Sequence, residues 1–532
     1  MRLPAGFVTS VLESLNFSKA IGFFKKTVTG GKGLLFCFLA GFFVRLIPEF
    51  LAFPHPIGFD TVYYAAALRE GVIWPHWSSF FTHTWLFYAI TVPLYQFIGG
   101  EPFLFLKVAA PLLYGLNVAG IYWFARKMLG WSTRSSFLAG GFFAFQLASL
   151  RISWDLLRNT LGMGLLLFAL PFVDRLNSKR EVACFVLLSL LTVFAHEYSA
   201  VSLLVIVLVY VFTRLNEEKG DKVALRTVLG LLPALTIFSA GLFLRIFPIS
   251  YAAETNVLST GELEVGRFFF FANYFSVEDT VFHYPSYWSL VFDVVVLFAL
   301  LYLPYLFLVW KGFFRNVVLD VWTGLLLIGS FGCLIFPFFA LDFWSRWMFM
   351  LVYPFTFYAV NGLTVFLRKY EGSDVKSLMK FTSRKVKGMI LLTVLLGCVY
   401  LATPVLMSTV NIGVFAISPA SAHFSSAPTV PYEDVNGVVE AMEWLDGNMD
   451  GDSCVVLQHA FLSWGQLYLD KSHTIVHFEN DVNLAVDTAF EHGFTRVFFV
   501  WWNEPIGWYG VTVPEGFVRL QDFGRISVYE YI

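Results

Sequence analysis

The sequence predicts a polytopic α-helical membrane protein of about eleven transmembrane helices, carrying a C-terminal extracytoplasmic α/β domain. Three observations predict this. The 532 residues are 57% hydrophobic and only 14% charged, where soluble domains carry about 25% charge, and the mean hydropathy is +0.68. The apolar runs are continuous and roughly twenty residues long, the length a helix needs to cross hydrocarbon, whereas a barrel would show alternating segments of about ten residues. After residue 430 the long apolar runs stop, and strand-like and helix-like pieces alternate.

Residues 1–32 form a cytoplasmic N-terminal segment with Lys25, Lys26 and Lys32 ahead of the first apolar run. The run after Gly33 is too long, and too poor in a small-residue cleavage pattern, for a removed signal peptide, so it reads as an anchor. A membrane domain spans 33–410. Its runs lie near 33–53, 103–125, 135–150, 156–173, 182–195, 199–213, 225–247, 287–310, 319–341, 345–367 and 388–408. The first outer loop, 54–102, contains a further apolar piece, Trp85–Ile98, interrupted by Pro93. With that piece lying along the membrane surface, the basic loops Arg126–Arg134, Arg175–Arg180, Arg214–Lys222, Lys311–Arg315 and Arg368–Lys387 all fall on the side of the N-terminus. The positive-inside rule makes that side the cytoplasm. If the piece spanned, two of these loops would be forced outside.

Residues 411–430, rich in Ser, Ala and Pro, read as a linker, and 431–532 as the outer domain. A helical pattern from Tyr432 stops near Gly447-Asn448. Strands then read at Cys454–Leu457, Thr474–Phe478, Arg496–Trp501 and Ile526–Tyr531, with helices at Phe461–Tyr468 and Val482–Glu491. Strand–helix alternation of this kind argues for a largely parallel sheet. Four of the five cysteines (Cys37, Cys184, Cys333, Cys398) lie in apolar runs and Cys454 is alone in the outer domain, so that domain has no internal disulfide.

Ionisable residues gather at the outer span ends. Asp60 stands in Pro56-Ile-Gly-Phe-Asp-Thr-Val-Tyr63-Tyr64, where an acid at the mouth of a hydrocarbon-thick segment costs free energy without a task or a partner. It reads as a general base or as a ligand for Mn²⁺ or Mg²⁺ beside a lipid-linked phosphate, against a capping aspartate in a turn. Asp155 follows Arg151 by four residues and precedes Arg158 by three, so a local ion pair competes with a second functional carboxylate, which would share such a metal. Two arginines around one aspartate leave positive charge over, as a phosphate site needs. His196-Glu197 marks another outer corner, an interfacial anchor on one reading and a proton acceptor or sugar-hydroxyl contact on the other. Asp342 and Arg346 are spaced for a local pair, yet Arg346 opens a span where its forked donors suit a phosphate headgroup. Glu254, Glu262, Glu264, Arg267, Glu278, Asp279 and His283 occupy the 249–286 loop. No P-loop, GxSxG, HExxH or Cys/His zinc spacing occurs, and the outer domain has no basic stripe for nucleic acid.

These residues resemble the GT-C superfamily of polytopic glycosyltransferases, which use polyprenyl-phosphate- or polyprenyl-diphosphate-linked sugars outside the cytoplasm. Asp60 in Gly-Phe-Asp-Thr-Val-Tyr-Tyr matches the family's acidic residue in the first outer loop. Asp155 in Ser-Trp-Asp-Leu-Leu-Arg-Asn matches its second acidic motif, with one aspartate in place of an acidic pair. Arg346 in Trp-Ser-Arg-Trp resembles the late-span arginine that contacts lipid phosphate in the oligosaccharyltransferase branch, and the appended outer domain looks like the archaeal members of that branch. The branch's Trp-Trp-Asp-Tyr-Gly hallmark is absent; Trp501-Trp502-Asn503-Glu504 echoes it only superficially.

The resemblance implies transfer of a sugar from a polyprenyl-linked donor to a lipid, glycan or protein acceptor, in contact with membrane lipid, on the outer face of the cell membrane. Asp60 and Asp155 would be catalytic, Arg346 and Arg158 would hold the donor phosphate, and His196, Glu197 and Tyr63 would touch donor or acceptor. The rival expectation is a transporter or flippase for a lipid-linked or small anionic solute, with ionisable residues near mid-span on facing helices.

Overall fold

The computed structural model describes residues 31–74, 76–217, 221–247, 256–260, 286–335, 340–370, 376–406, 428–479, 481–503 and 512–532. Glu254, Glu262, Glu264, Arg267, Glu278, Asp279 and His283, residues 411–427 of the expected linker, and the side chain of Asp342 lie outside this set.

Within the described residues, each expected apolar run is helical, several of them broken by turns. Among the described residues, six helices are long and apolar enough to cross a membrane: Lys32–Leu51, Pro102–Lys127, Glu197–Glu217, Lys222–Ile246, Val317–Leu334 and Trp344–Phe366. Shorter apolar helices are Leu86–Ile98, Leu157–Phe172, Tyr287–Tyr302 and Val386–Leu401. The 13 residues of Leu86–Ile98 make a rod of about 20 Å, short of the roughly 30 Å hydrocarbon core. The run expected at 135–150 splits into Thr133–Ala144 and Leu147–Asp155, and the chain turns again at Leu156 before Leu157–Ala169. Asp155 is therefore the last residue of a helix, at a break between helices.

Local chemistry sets the ends. Pro102 opens the 26-residue helix Pro102–Lys127 at the position where its missing N–H costs nothing. Ser178 and Glu181 close a reciprocal capping box ahead of Lys179–Ala195. Helices Gly31–Leu51 and Pro102–Lys127 run in close contact because Gly41 and Gly115 have no side chain; a Cβ on Gly115 would lie 2.7 Å from the Phe38 carbonyl oxygen. Small residues at such crossings let backbones approach. Trp154 stacks on Tyr400 with centroids 4.2 Å apart, tying Leu147–Asp155 to Lys376–Leu401.

The C-terminal domain follows the expected alternation and adds two strands. Its sheet has the order β1-β3-β2-β4-β6-β5, with β1 Val257–Ser259, β2 Ser453–Gln458, β3 Thr474–Phe478, β4 Arg496–Trp502, β5 Phe517–Phe523 and β6 Ile526–Tyr531. The β1, β3, β2 and β4 pairings are parallel, and β6 joins β4 and β5 antiparallel. The core strands β2 and β4 are almost wholly buried. β1 comes from the loop between two membrane helices and extends the sheet beside β3.

The domain seats on the first loop of the membrane half. His55 stacks on Tyr432 at 5.7 Å, Phe59 stacks on His459 at 6.0 Å, and Lys471 Nζ donates to the Glu70 carbonyl at 3.4 Å. Basic loops meet at the far end of Pro102–Lys127: Arg175 donates to the Lys127 carbonyl, and Arg226 donates to the Leu176 carbonyl at 3.0 Å. That helix is about 39 Å long, so the two ends are a membrane thickness apart.

Candidate active site

Asp60 occupies the position just before helix Thr61–Glu70 but makes no capping hydrogen bond with its side chain. The capping reading therefore does not account for it. The preceding turn is set by Gly58 at φ +88°, where an added Cβ would lie 2.7 Å from Asp155 Cβ and 2.9 Å from the Trp154 carbonyl oxygen. The chain can bring Asp60 against the Asp155 helix end only with glycine there. Phe59 then donates its backbone N–H to Asp155 Oδ2 at 3.1 Å.

Asp155 Oδ1 takes an ion pair from Arg151 one turn earlier, and both side chains are buried. The local pair exists, as the spacing allows, and it sits inside the site. Arg151, Arg158 and Arg346 all act on Asp60. Three guanidinium groups against two carboxylates leave one positive charge over in a buried setting. Burial first, and then Asp155, raise the Asp60 carboxyl above the usual carboxylate range, while Arg346, Arg158 and Arg151 oppose the shift.

Arg158 is fixed by Thr84, to whose hydroxyl it donates at 3.2 Å, and by the Tyr88 ring, 5.9 Å from the guanidinium. It also lies close to Tyr64, whose hydroxyl burial pushes up to about 12. Tyr63, a turn neighbour with its ring 5.8 Å from Tyr64, is 46% exposed and open to a bound molecule. His196 ends helix Lys179–Ala195, and its Nδ1 accepts from the Tyr198 backbone N–H at 3.3 Å. Burial, followed by Arg158, Arg346 and Arg245, holds the imidazole well below its usual value, so it is neutral near pH 7. With Nδ1 accepting, the proton sits on Nε2, which makes His196 a hydrogen-bond donor. Glu197 turns away and pairs with Arg245.

Asp60, Asp155, Arg158, Arg346, His196 and Tyr63 are thus brought together, and Glu197 lies at the margin. At that margin lies a small pocket of about 30 Å³, lined by Phe81, Phe194, Phe238 and Gly241, with Thr84 and Arg245 at its polar edge. Thr84 is the residue that holds Arg158, so the pocket adjoins the cationic group.

Several supporting residues were not singled out from the sequence. Arg45 is fully buried in the first span, donates through Nε to the Ser153 carbonyl at 3.2 Å, and pairs with Glu49 at 2.8 Å. Lys107 pairs with Glu49 at 3.2 Å and donates to the His55 carbonyl at 2.6 Å. This chain of charges clamps both segments of the site, the Asp155 helix end and the loop leading to Asp60. An arginine and a glutamate one turn apart inside an apolar run was the available signal. Buried ionisable groups are accordingly not confined to the outer loops, since Asp293 is also buried within Tyr287–Tyr302. Trp501 and Trp502 belong to the sheet core, where Trp502 Nε1 donates to Asp434 at 2.8 Å.

Neither a family model nor a curated protein matches the sequence. Solved structures do match. The arabinofuranosyltransferase AftD from Mycobacteria superposes with a TM-score of 0.50 at 13% identity, over 93% of this chain and 40% of its own. ArnT from Cupriavidus metallidurans gives 0.49 at 12% identity over 95% and 99%. The archaeal oligosaccharyltransferase AglB from Archaeoglobus fulgidus gives 0.47 at 12% identity over 87% and 69%. The superposition on the arabinofuranosyltransferase, spanning nearly the whole of this chain, gives the architecture its class: this chain has the fold of the GT-C membrane glycosyltransferases.

Proposed function

We propose that this protein is an inverting membrane glycosyltransferase that moves a sugar from a polyprenyl-phosphate- or polyprenyl-diphosphate-linked donor to a lipid, glycan or protein acceptor. The observation that carries the reading is Asp60, a half-buried carboxylate without a capping bond, held beside Asp155 within reach of Arg151, Arg158 and Arg346. A base and an anion site stand side by side. Arg158 and Arg346 take the phosphate.

In the reaction the acceptor nucleophile attacks the anomeric carbon, the bond from that carbon to the phosphate oxygen breaks, and its electron pair stays on the phosphate. The acceptor's proton passes to Asp60, whose basicity its surroundings raise. Arg158 and Arg346 neutralise the departing phosphate, and His196 Nε2 and Tyr63 offer hydrogen bonds to donor or acceptor. Asp155 orients the Asp60 loop through Phe59. A shared Mn²⁺ or Mg²⁺ would supply a further charge on the phosphate, but Asp155 would have to accept it alongside Arg151 and the Phe59 N–H. The surplus of guanidinium charge favours the anion without one.

The cytoplasm lies at the end where the basic loops meet, by the positive-inside rule, and the site and the C-terminal domain face outward. The test is sugar release from a radiolabelled polyprenyl-phosphate hexose panel by the purified chain, with and without Mn²⁺. Release that Asp60→Asn abolishes supports the reading. No release from any donor, together with headgroup-dependent lipid movement in vesicles, would replace it with a flippase.

A further inference from the structure

The carboxyl ends of β2 and β3 carry a cluster that the transfer chemistry does not use. These strands are parallel neighbours, with Gln458 paired to Phe478. His459 therefore leaves the sheet beside Glu479, and His477 lies two residues before Glu479 on the adjacent strand. The frame is fixed by Gln458, whose side chain accepts from the Ala460 N–H at 2.7 Å and donates to the Glu479 carbonyl at 3.1 Å. Loops past the carboxyl ends of parallel strands are where open α/β sheets bind ligands.

The geometry is that of a coordination shell more than of ion pairs. His459 Nδ1 and His477 Nε2 both stand 3.3 Å from the same atom, Glu479 Oε1. Charge-assisted hydrogen bonds run to about 2.7–2.9 Å. Ligands about 2.1 Å from a tetrahedral zinc ion stand roughly 3.4 Å apart. One ligand atom from each of the three residues lies within 4.8 Å of those of the other two. His477 is only 7% exposed, and its Nε2 is aimed into the cluster at Glu479 Oε1.

The cluster also faces the membrane half. The Phe59 ring stacks on His459 with the planes 19° apart, and the Asp60 charge reaches His459. We propose that His459, His477 and Glu479 bind one divalent transition metal of the zinc class, with an open coordination position beside the Asp60 loop for an anionic oxygen. Two imidazoles and one carboxylate suit Zn²⁺ or Co²⁺ better than Mg²⁺ or Ca²⁺, which prefer oxygen alone. Three protein ligands with a free fourth position is the pattern of sites that bind water or substrate. The assignment stands independently of the transfer reaction.

The test uses the purified full chain, stripped with EDTA and titrated with Co²⁺, read by the cobalt visible spectrum and by metal content. One Co²⁺ per chain, displaced by Zn²⁺, is expected. His477→Ala and the near-isosteric Glu479→Gln should lose it while keeping the thermal unfolding transition of the metal-free parent. Asp60→Asn should keep it, which separates this site from any metal held by Asp60 and Asp155. Inorganic phosphate added to the cobalt form should shift the spectrum. No stoichiometric binding by folded chain, or binding that survives Glu479→Gln, overturns the site, and a spectrum indifferent to phosphate overturns the open position.

Discussion

Phe59 hands its backbone N–H to the Asp155 carboxylate at 3.1 Å. Two segments 96 residues apart are joined by that bond, and the residue after Phe59 is Asp60. The placement of the proposed base is thus set by a helix end elsewhere in the chain, which Arg45 holds through the Ser153 carbonyl.

Replacing Asp60 by Asn should cut transfer by about 10²–10⁴-fold, the usual weight of a general base, without loss of fold. Sugar release from a polyprenyl-phosphate donor, paired with a thermal melt, checks this. Full activity in the variant would remove Asp60 from the chemistry.

Gly58→Ala should be costly, although the substitution adds a single methyl group. At φ +88° the new Cβ meets Asp155 Cβ, so the turn must shift, at about 1–3 kcal/mol. Asp60 moves with it. Activity should fall further than the melting temperature implies, and a Gly58→Ala enzyme with parental turnover would show that the turn is tolerant.

Arg151→Met should destabilise the chain by about 3–5 kcal/mol, because it leaves Asp155 buried without its ion-pair partner. Arg346→Ala should instead leave the fold intact and weaken donor binding by about 10–100-fold, the weight of a charged hydrogen bond. Arg346→Lys should restore only part of it, since a point charge lacks the fork. Melting curves and donor KM separate the two arginines.

The rate should depend on pH through Asp60. A base whose carboxyl is raised in the fold loses its charge as pH falls through that raised value, so the acid limb lies above the range of an ordinary carboxylate. His196, depressed by burial and by the surrounding arginines, stays neutral across that window and contributes no limb of its own. His196→Gln should keep the profile's shape, and a profile flat down to the ordinary carboxylate range would contradict the proposed role of Asp60.

Much of this was legible in the chain. Hydrocarbon-length runs gave the membrane-domain helices, alternation in 453–502 gave the parallel core of the C-terminal domain, and acids at the ends of apolar runs pointed to Asp60 and Asp155. Other features depend on three-dimensional register. Arg45, Glu49 and Lys107 interrupt apolar runs, and only the packing shows that they meet. His459, His477 and Glu479 converge because β2 and β3 are neighbours in one register, which no spacing announces. β5, Phe-Val-Arg-Leu-Gln-Asp-Phe, is an exposed edge with a bulge and mostly polar near its end, so its pattern is weak. β1 is three residues long, below what periodicity can resolve.

β1 has a consequence for how the protein could have been assembled in evolution. Its three residues belong to a loop of the membrane half, yet they complete the edge of the C-terminal sheet beside β3. The chain passes between the two halves more than once, so the C-terminal region is not a cassette joined at a single seam. A chimaera that grafts 431–532 onto another transporter-like or transferase body would arrive with a bare strand edge, open to pairing with its own kind. A working exchange must carry the 256–260 segment with it.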